Sequence, residues 1–121
     1  MGGVNFVTLG AVPDAQNDGV QVAPINIAGA TGGTVIAAVA NKRIMVHGAH
    51  YQAAASVVLT VQDVAAGSTV NLTGAMTMAQ GIPVVLPWQN YPWYTVAAGD
   101  ALVFATGASV QMSGRIMYVQ G

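Results

Sequence analysis

The apolar residues of this chain fall into short runs, and several of the runs alternate. Over 56–62, Val57, Leu59 and Val61 share one side, while Ser56, Thr60 and Gln62 share the other; Val58 is the exception on the polar side. Over 109–119, Val110, Met112, Gly114, Ile116 and Tyr118 face one way, and Gln111, Ser113 and Arg115 the other. Side chains on a strand alternate with period two, so both segments predict half-buried antiparallel strands. Gly114 in the middle of the second predicts a bulge or a close backbone approach. Further strands, rich in Val, Ile and Thr, are predicted over 20–28, 34–40, 43–51, 69–73, 75–79, 82–86 and 101–106. No stretch combines helical spacing with helix caps.

Small-residue turns separate these runs. Val64-Ala65-Ala66-Gly67-Ser68 and Val96-Ala97-Ala98-Gly99-Asp100 each place Gly before a polar residue and a new apolar run, which predicts tight turns between strands. Short strands at such spacing within 121 residues predict one all-β domain over 20–121, an antiparallel β-sandwich of about eight strands. Residues 1–19 read differently. Val4 to Leu9 has the character of an extended strand, and Pro13 to Gly19 that of a polar loop ending in an Asn-Asp-Gly turn. They predict an N-terminal extended arm, with Phe6 as its candidate contact, or an ordinary first strand and loop.

Charge changes the picture most. The chain has three Lys and Arg (Lys42, Arg43, Arg115) and four Asp (Asp14, Asp18, Asp63, Asp100), 6% of residues. Soluble domains carry about 25%. A net charge of −1 offers no electrostatic pull toward nucleic acid. A 12.2 kDa fold exposes roughly 6,000 Å², and so few charges cannot cover it. Such a surface is prone to association unless partners cover it. The composition therefore points to a subunit of an assembly, with a bland soluble domain as the alternative. No secretory signal is expected, because the first base is Lys42, and the run Ile25 to Ala40 is too short and glycine-broken to span a bilayer. With no cysteine, neither disulfides nor thiolate metal sites arise.

Candidate chemistry is sparse. The aspartates are scattered, mostly in or beside turns, and none has an evident partner for acid–base work. His47 and His50 are three apart, which on a regular strand sends them to opposite faces, so one chain is not expected to bind metal with both. No serine sits in a nucleophile elbow, and Gly29 to Gly33 lacks the Lys-Ser/Thr of a phosphate loop. No catalytic residue, cofactor or metal is expected. The distinctive feature is Pro87-Trp88-Gln89-Asn90-Tyr91-Pro92-Trp93-Tyr94, which holds both tryptophans and two of the four tyrosines. Its prolines keep it extended or looped. Trp88, Tyr91, Trp93 and Tyr94 are candidates for a plug of the sandwich end, a protein contact patch or a stacking platform for glycan.

From Thr34 onward the order of strand and turn residues resembles a known group. The run from Thr34 through Val39 to Asn41-Lys42-Arg43-Ile44 comes first, followed by Val58-Leu59-Thr60-Val61 and Leu72-Thr73-Gly74-Ala75-Met76-Thr77-Met78-Ala79. Then come Gly81, Pro87, Trp93-Tyr94, Ala98-Gly99-Asp100-Ala101-Leu102 and Val110 to Tyr118. This is similar to small virion proteins of tailed phages, some of them capsid decoration (cement) or head-fibre proteins. The match departs where that group has Gly-Glu-Ala-Leu and an Asn-Gly-Gly turn; here stand Gly99-Asp100-Ala101-Leu102 and Gln80-Gly81-Ile82. The resemblance implies a jelly-roll-like sandwich, made in the host cytoplasm and assembled as a homotrimer on the capsid surface. It implies binding to itself and to the major capsid protein, without catalysis, nucleic acid or membrane. The alternative is a receptor- or glycan-binding fibre-tip module using loop 87–94.

Overall fold

A computed structural model describes residues 19–121, which fold without helix into eight antiparallel strands. They are β1 (Val20–Ile36), β2 (Ile44–Ala53), β3 (Val57–Ala65), β4 (Ser68–Asn71), β5 (Met76–Met78), β6 (Val84–Leu86), β7 (Tyr94–Val96) and β8 (Ala101–Gln120). The arm expected over residues 1–19, with Phe6, lies outside the described residues apart from Gly19.

β8 organises the fold because it pairs with three strands. Its C-terminal half lies between the N-terminal half of β1 (Val20↔Val119 to Ile27↔Met112) and β2 (Ile44↔Gln120 to Ala53↔Met112). Its N-terminal half lies between the C-terminal half of β1 (Gly32↔Ala105 to Ile36↔Leu102) and β3 (Leu59↔Thr106 to Val64↔Ala101). Register shifts in β1 between Ile27 and Gly32 mark where the two long strands pass together from one layer to the other. The single sheet thus curls into two facing walls. The first contains β2 extended by β6 and β7, the second β3 extended by β4 and β5.

The core fills the space between the walls. Ile25, Ile27, Ile44, Val46, Tyr51, Val96, Met112 and Ile116 enter from the first wall, and Ile36, Val57, Leu59, Val61, Met78, Leu102 and Phe104 from the second. The alternation read over 56–62 holds, with Val57, Leu59 and Val61 buried and Val58 outside at 41% exposure. Over 109–119, Met112 and Ile116 are buried while Arg115 is exposed. At Gly114 a Cβ would collide with the His50 carbonyl on β2, so the close approach expected there is present.

Candidate functional site

The aromatic stretch leaves the sheet between β6 and β7 and follows the outer side of β2. β2 carries a bulge at His47, since Val46 faces Tyr118 and Gly48 faces Met117 on β8. A bulge frees one residue from the ladder and re-aims its side chain. The His47 carbonyl accepts from Gln89 N–H at 3.1 Å, and the Val46 carbonyl from Trp93 N–H at 2.7 Å. His47 Nδ1 lies 3.0 Å from the Gln89 carbonyl oxygen. A carbonyl only accepts, so this contact makes Nδ1 the protonated nitrogen. The His47 ring packs on Trp88 with centroids 5.1 Å apart, and Trp93 Nε1–H closes the loop on the Pro87 carbonyl at 2.9 Å.

The loop therefore divides its aromatics. Trp88, Tyr91 and Trp93 stay on the surface, Tyr91 at 83% exposure, while Tyr94 turns inward against the core. The four candidates do not form one patch. Sequence reasoning missed His47 as the anchor of Trp88, because the bulge that frees it depends on the long-range pairing of β2 with β8.

The same bulge corrects the expectation for the histidines. Val46 and Ala49 are both buried, so strict alternation fails between them and both His47 and His50 lie outside the core. Among the described residues no three His, Cys, Asp or Glu side chains converge on a metal-sized site.

A second correction concerns the aspartates. Asp63 and Asp100, far apart in sequence, meet at the end of the fold where β3 finishes and β8 begins. Asp63 is 8% exposed, and its Oδ2 accepts from Ala97 N–H at 3.0 Å. Its Oδ1 is buried and accepts no hydrogen bond. Hydrogen bonding to Asp63, then burial and like charge, raises the Asp100 pKa above its ordinary value. Asp63 braces the Ala97–Asp100 turn, whose Gly99 N–H also reaches the Lys42 carbonyl at 3.0 Å.

Strand register separates the outer faces. On the second wall the outward rows are Thr34, Val103, Gln62 and Asn71; Gly32, Ala105 and Thr60; Ala101, Val64 and Thr69; and Val58 with Thr77. None of these side chains ionises. On the first wall the central row is Pro24, Arg115, His50 and Val85, flanked by Val22 with Met117 and by Asn26, Ser113 and Gln52. Lys42, Arg43, Asp63 and Asp100 all sit at the end of the fold where β2 begins, so among the described residues Arg115 is the one formal charge on either face. The chain matches no family model, no curated protein and no solved structure.

Proposed function

We propose that the protein is a non-catalytic structural subunit: a decoration protein that binds the outer surface of a tailed-phage head as an oligomer and stabilises the shell. The single observation carrying this reading is the near absence of charge on two broad sheet faces. A free-standing sandwich normally gives its solvent face polar and charged residues. Among the described residues one outer face has none that ionise, and the other combines Val22 and Val85, 56% and 62% exposed, with a lone arginine. Faces of this kind lose little on desolvation and pack well against companions. The charge-free second wall suits identical copies, where like charges would repel in a closed symmetric ring such as a trimer.

The pairing order supports the jelly-roll part of the reading. With β1 and β8 each counted as two segments, and β4 with β5 and β6 with β7 each as one, the chain has eight. The first wall then runs first, eighth, third, sixth, and the second wall second, seventh, fourth, fifth. That is the order of a ribbon wrapped into two facing sheets.

A decoration protein acts by binding energy alone: each copy that bridges shell subunits favours the closed shell by mass action. Purified protein added to undecorated heads is expected to bind at saturable stoichiometry and raise their disassembly temperature. Heads that melt unchanged, with the protein left in the supernatant, overturn the reading. The exposed rings of Trp88, Tyr91 and Trp93 favour a second reading, a glycan-binding tip; binding on a glycan array that Trp88→Ala or Trp93→Ala abolishes would replace the first.

A further inference from the structure

We propose that Asp63 and Asp100 hold a hard divalent cation, of the calcium class, at the end of the fold where β3 finishes and β8 begins. The proposal does not rest on the decoration reading. Strand register brings the two carboxylates together. Val57, Leu59, Val61 and Asp63 form the inward row of β3, and Asp63 lies opposite Leu102 of β8. Asp100 precedes Leu102 by two residues, so it stands on the same inward side, diagonal to Asp63, at a separation that side chains bridge.

The buried oxygen of Asp63 is what calls for a ligand. The residue is 8% exposed; its Oδ2 accepts from Ala97 N–H, while its Oδ1 is buried and accepts no hydrogen bond. Among the described residues no Lys, Arg or His lies within ion-pair distance of either carboxylate; Lys42 and Arg43, at the same end of the fold, are exposed and pair with neither. A buried carboxylate oxygen left unserved is costly, and buried charges are ordinarily paired or bound to metal. Hydrogen bonding to Asp63, then burial and like charge, raises the Asp100 pKa, as happens when two carboxylates meet with only a proton to share. A divalent cation serves Oδ1 and the Asp100 carboxylate together and cancels their repulsion.

The donors decide the class of ion. Both side chains offer oxygen, the chain has no cysteine, and among the described residues no histidine joins them. Oxygen donors suit calcium or magnesium. Magnesium demands a near-ideal octahedron, whereas calcium tolerates an irregular set of carboxylates completed by water. Asp100 is only partly buried, so water fills the open side. Two carboxylates and a hydrated shell place the dissociation constant in the weak range, about 0.1–1 mM. The ion has a structural role: Asp63 belongs to the second wall, and the Ala97–Asp100 turn follows β7 of the first, so the site ties the walls together at this end.

The experiment titrates CaCl₂ into the chelator-treated full chain at neutral pH by calorimetry, with thermal unfolding in parallel. It compares wild type, Asp100→Asn, Asp63→Asn and the double variant Asp14→Asn/Asp18→Asn, the last because the full chain carries those two further carboxylates. Wild type is expected to take up a single Ca²⁺ per chain. At about ten times the dissociation constant it should melt about 5 °C higher than in NaCl of equal ionic strength, with a smaller shift in MgCl₂. Asp100→Asn is expected to bind at least about 10-fold more weakly, and Asp14→Asn/Asp18→Asn to bind like wild type. Asp63→Asn should lose binding; if it does not fold, Asp100→Asn decides alone. No uptake by wild type at about 10 mM Ca²⁺ means that the carboxylates hold a proton only, and a shift that NaCl reproduces is charge screening; either overturns the proposal. Binding that is unchanged in Asp100→Asn, or lost in Asp14→Asn/Asp18→Asn, puts the ion elsewhere and overturns it equally.

Discussion

Tyr51 of the first wall and Phe104 of the second meet edge to face, ring centroids 5.0 Å apart at 66°, and this contact closes the two walls on each other. Both rings are almost fully buried. Edge-to-face pairs add about 0.5–1.5 kcal/mol beyond their buried area. The Tyr51 hydroxyl, however, has no completed hydrogen bond in the core; the Tyr94 hydroxyl approaches it from the half-buried end of the loop.

Two substitutions separate the ring from its hydroxyl. Phe104→Ala should cost about 3–5 kcal/mol in urea unfolding, since it empties the centre of the core. Tyr51→Phe should be neutral or stabilising by about 1 kcal/mol, because it keeps the ring and removes an unsatisfied polar atom. Burial, and then Tyr94, raise the Tyr51 pKa above that of a free phenol. The native state thus holds its proton where the unfolded chain has lost it, so stability falls as pH rises past the ordinary tyrosine range. In Tyr51→Phe that alkaline decline should be shallower.

Acid acts through Asp100 in the opposite direction from the usual carboxylate. The Asp100 pKa is raised in the folded chain, chiefly by hydrogen bonding to Asp63. Between the ordinary carboxyl value and the raised one, the native state binds more protons than the unfolded state, so stability rises as pH falls through that window. Wild type should therefore melt slightly higher on mild acidification from neutrality. Asp100→Asn, which supplies a permanent N–H donor, should melt at least as high as wild type at pH 7 and lose most of that slope. A wild-type midpoint that only falls on mild acidification would contradict the pairing.

Much of the fold was legible from alternation alone. Val57, Leu59, Val61, Met112 and Ile116 were assignable inward and Arg115 outward, because period two needs no knowledge of the partner strand. What failed needed long-range pairing. The glycines from 29 to 33 read as a loop, yet they continue β1, because β8 runs alongside and holds them extended. Residues 37–40 read as strand but lie beyond the last β1–β8 pair. β7 was hidden among the aromatics, where only its pairing to Ile44, Met45 and Val46 makes it a strand. The candidate site was half legible: composition marked Trp88, Tyr91 and Trp93, while the bulge at His47 and the row through Arg115 follow from register.

Gly114 gives a local test of how closely β8 and β2 approach. Its φ is +153°, and a Cβ there would collide with the His50 carbonyl and crowd the Tyr51 backbone. Both contacts are to backbone, which cannot rotate away. Gly114→Ala should cost at least about 3 kcal/mol. Gly74→Ala, where a Cβ meets nothing within 4 Å, should stay within about 0.5 kcal/mol of wild type. Equal midpoints for the two variants would mean the strands do not close at Gly114.

The uncharged second wall predicts what a single charge would do there. Val58 is 41% exposed and stands opposite Thr77 on β5, well away from the core. Lysine at this position can extend into solvent, so Val58→Lys should change the unfolding midpoint of an isolated chain by no more than about 0.5 kcal/mol. In a ring of identical copies, each interface that includes this wall would bury the new ammonium against Thr, Val and Gln with no acid to meet it. Such an unpaired charge is strongly destabilising to an interface. Sedimentation should therefore show wild type as an oligomer, with Val58→Lys shifted toward monomer while its circular dichroism is unchanged. Val58→Thr, similar in shape and uncharged, should remain assembled. If Val58→Lys assembles as tightly as wild type, the copies meet through some other surface.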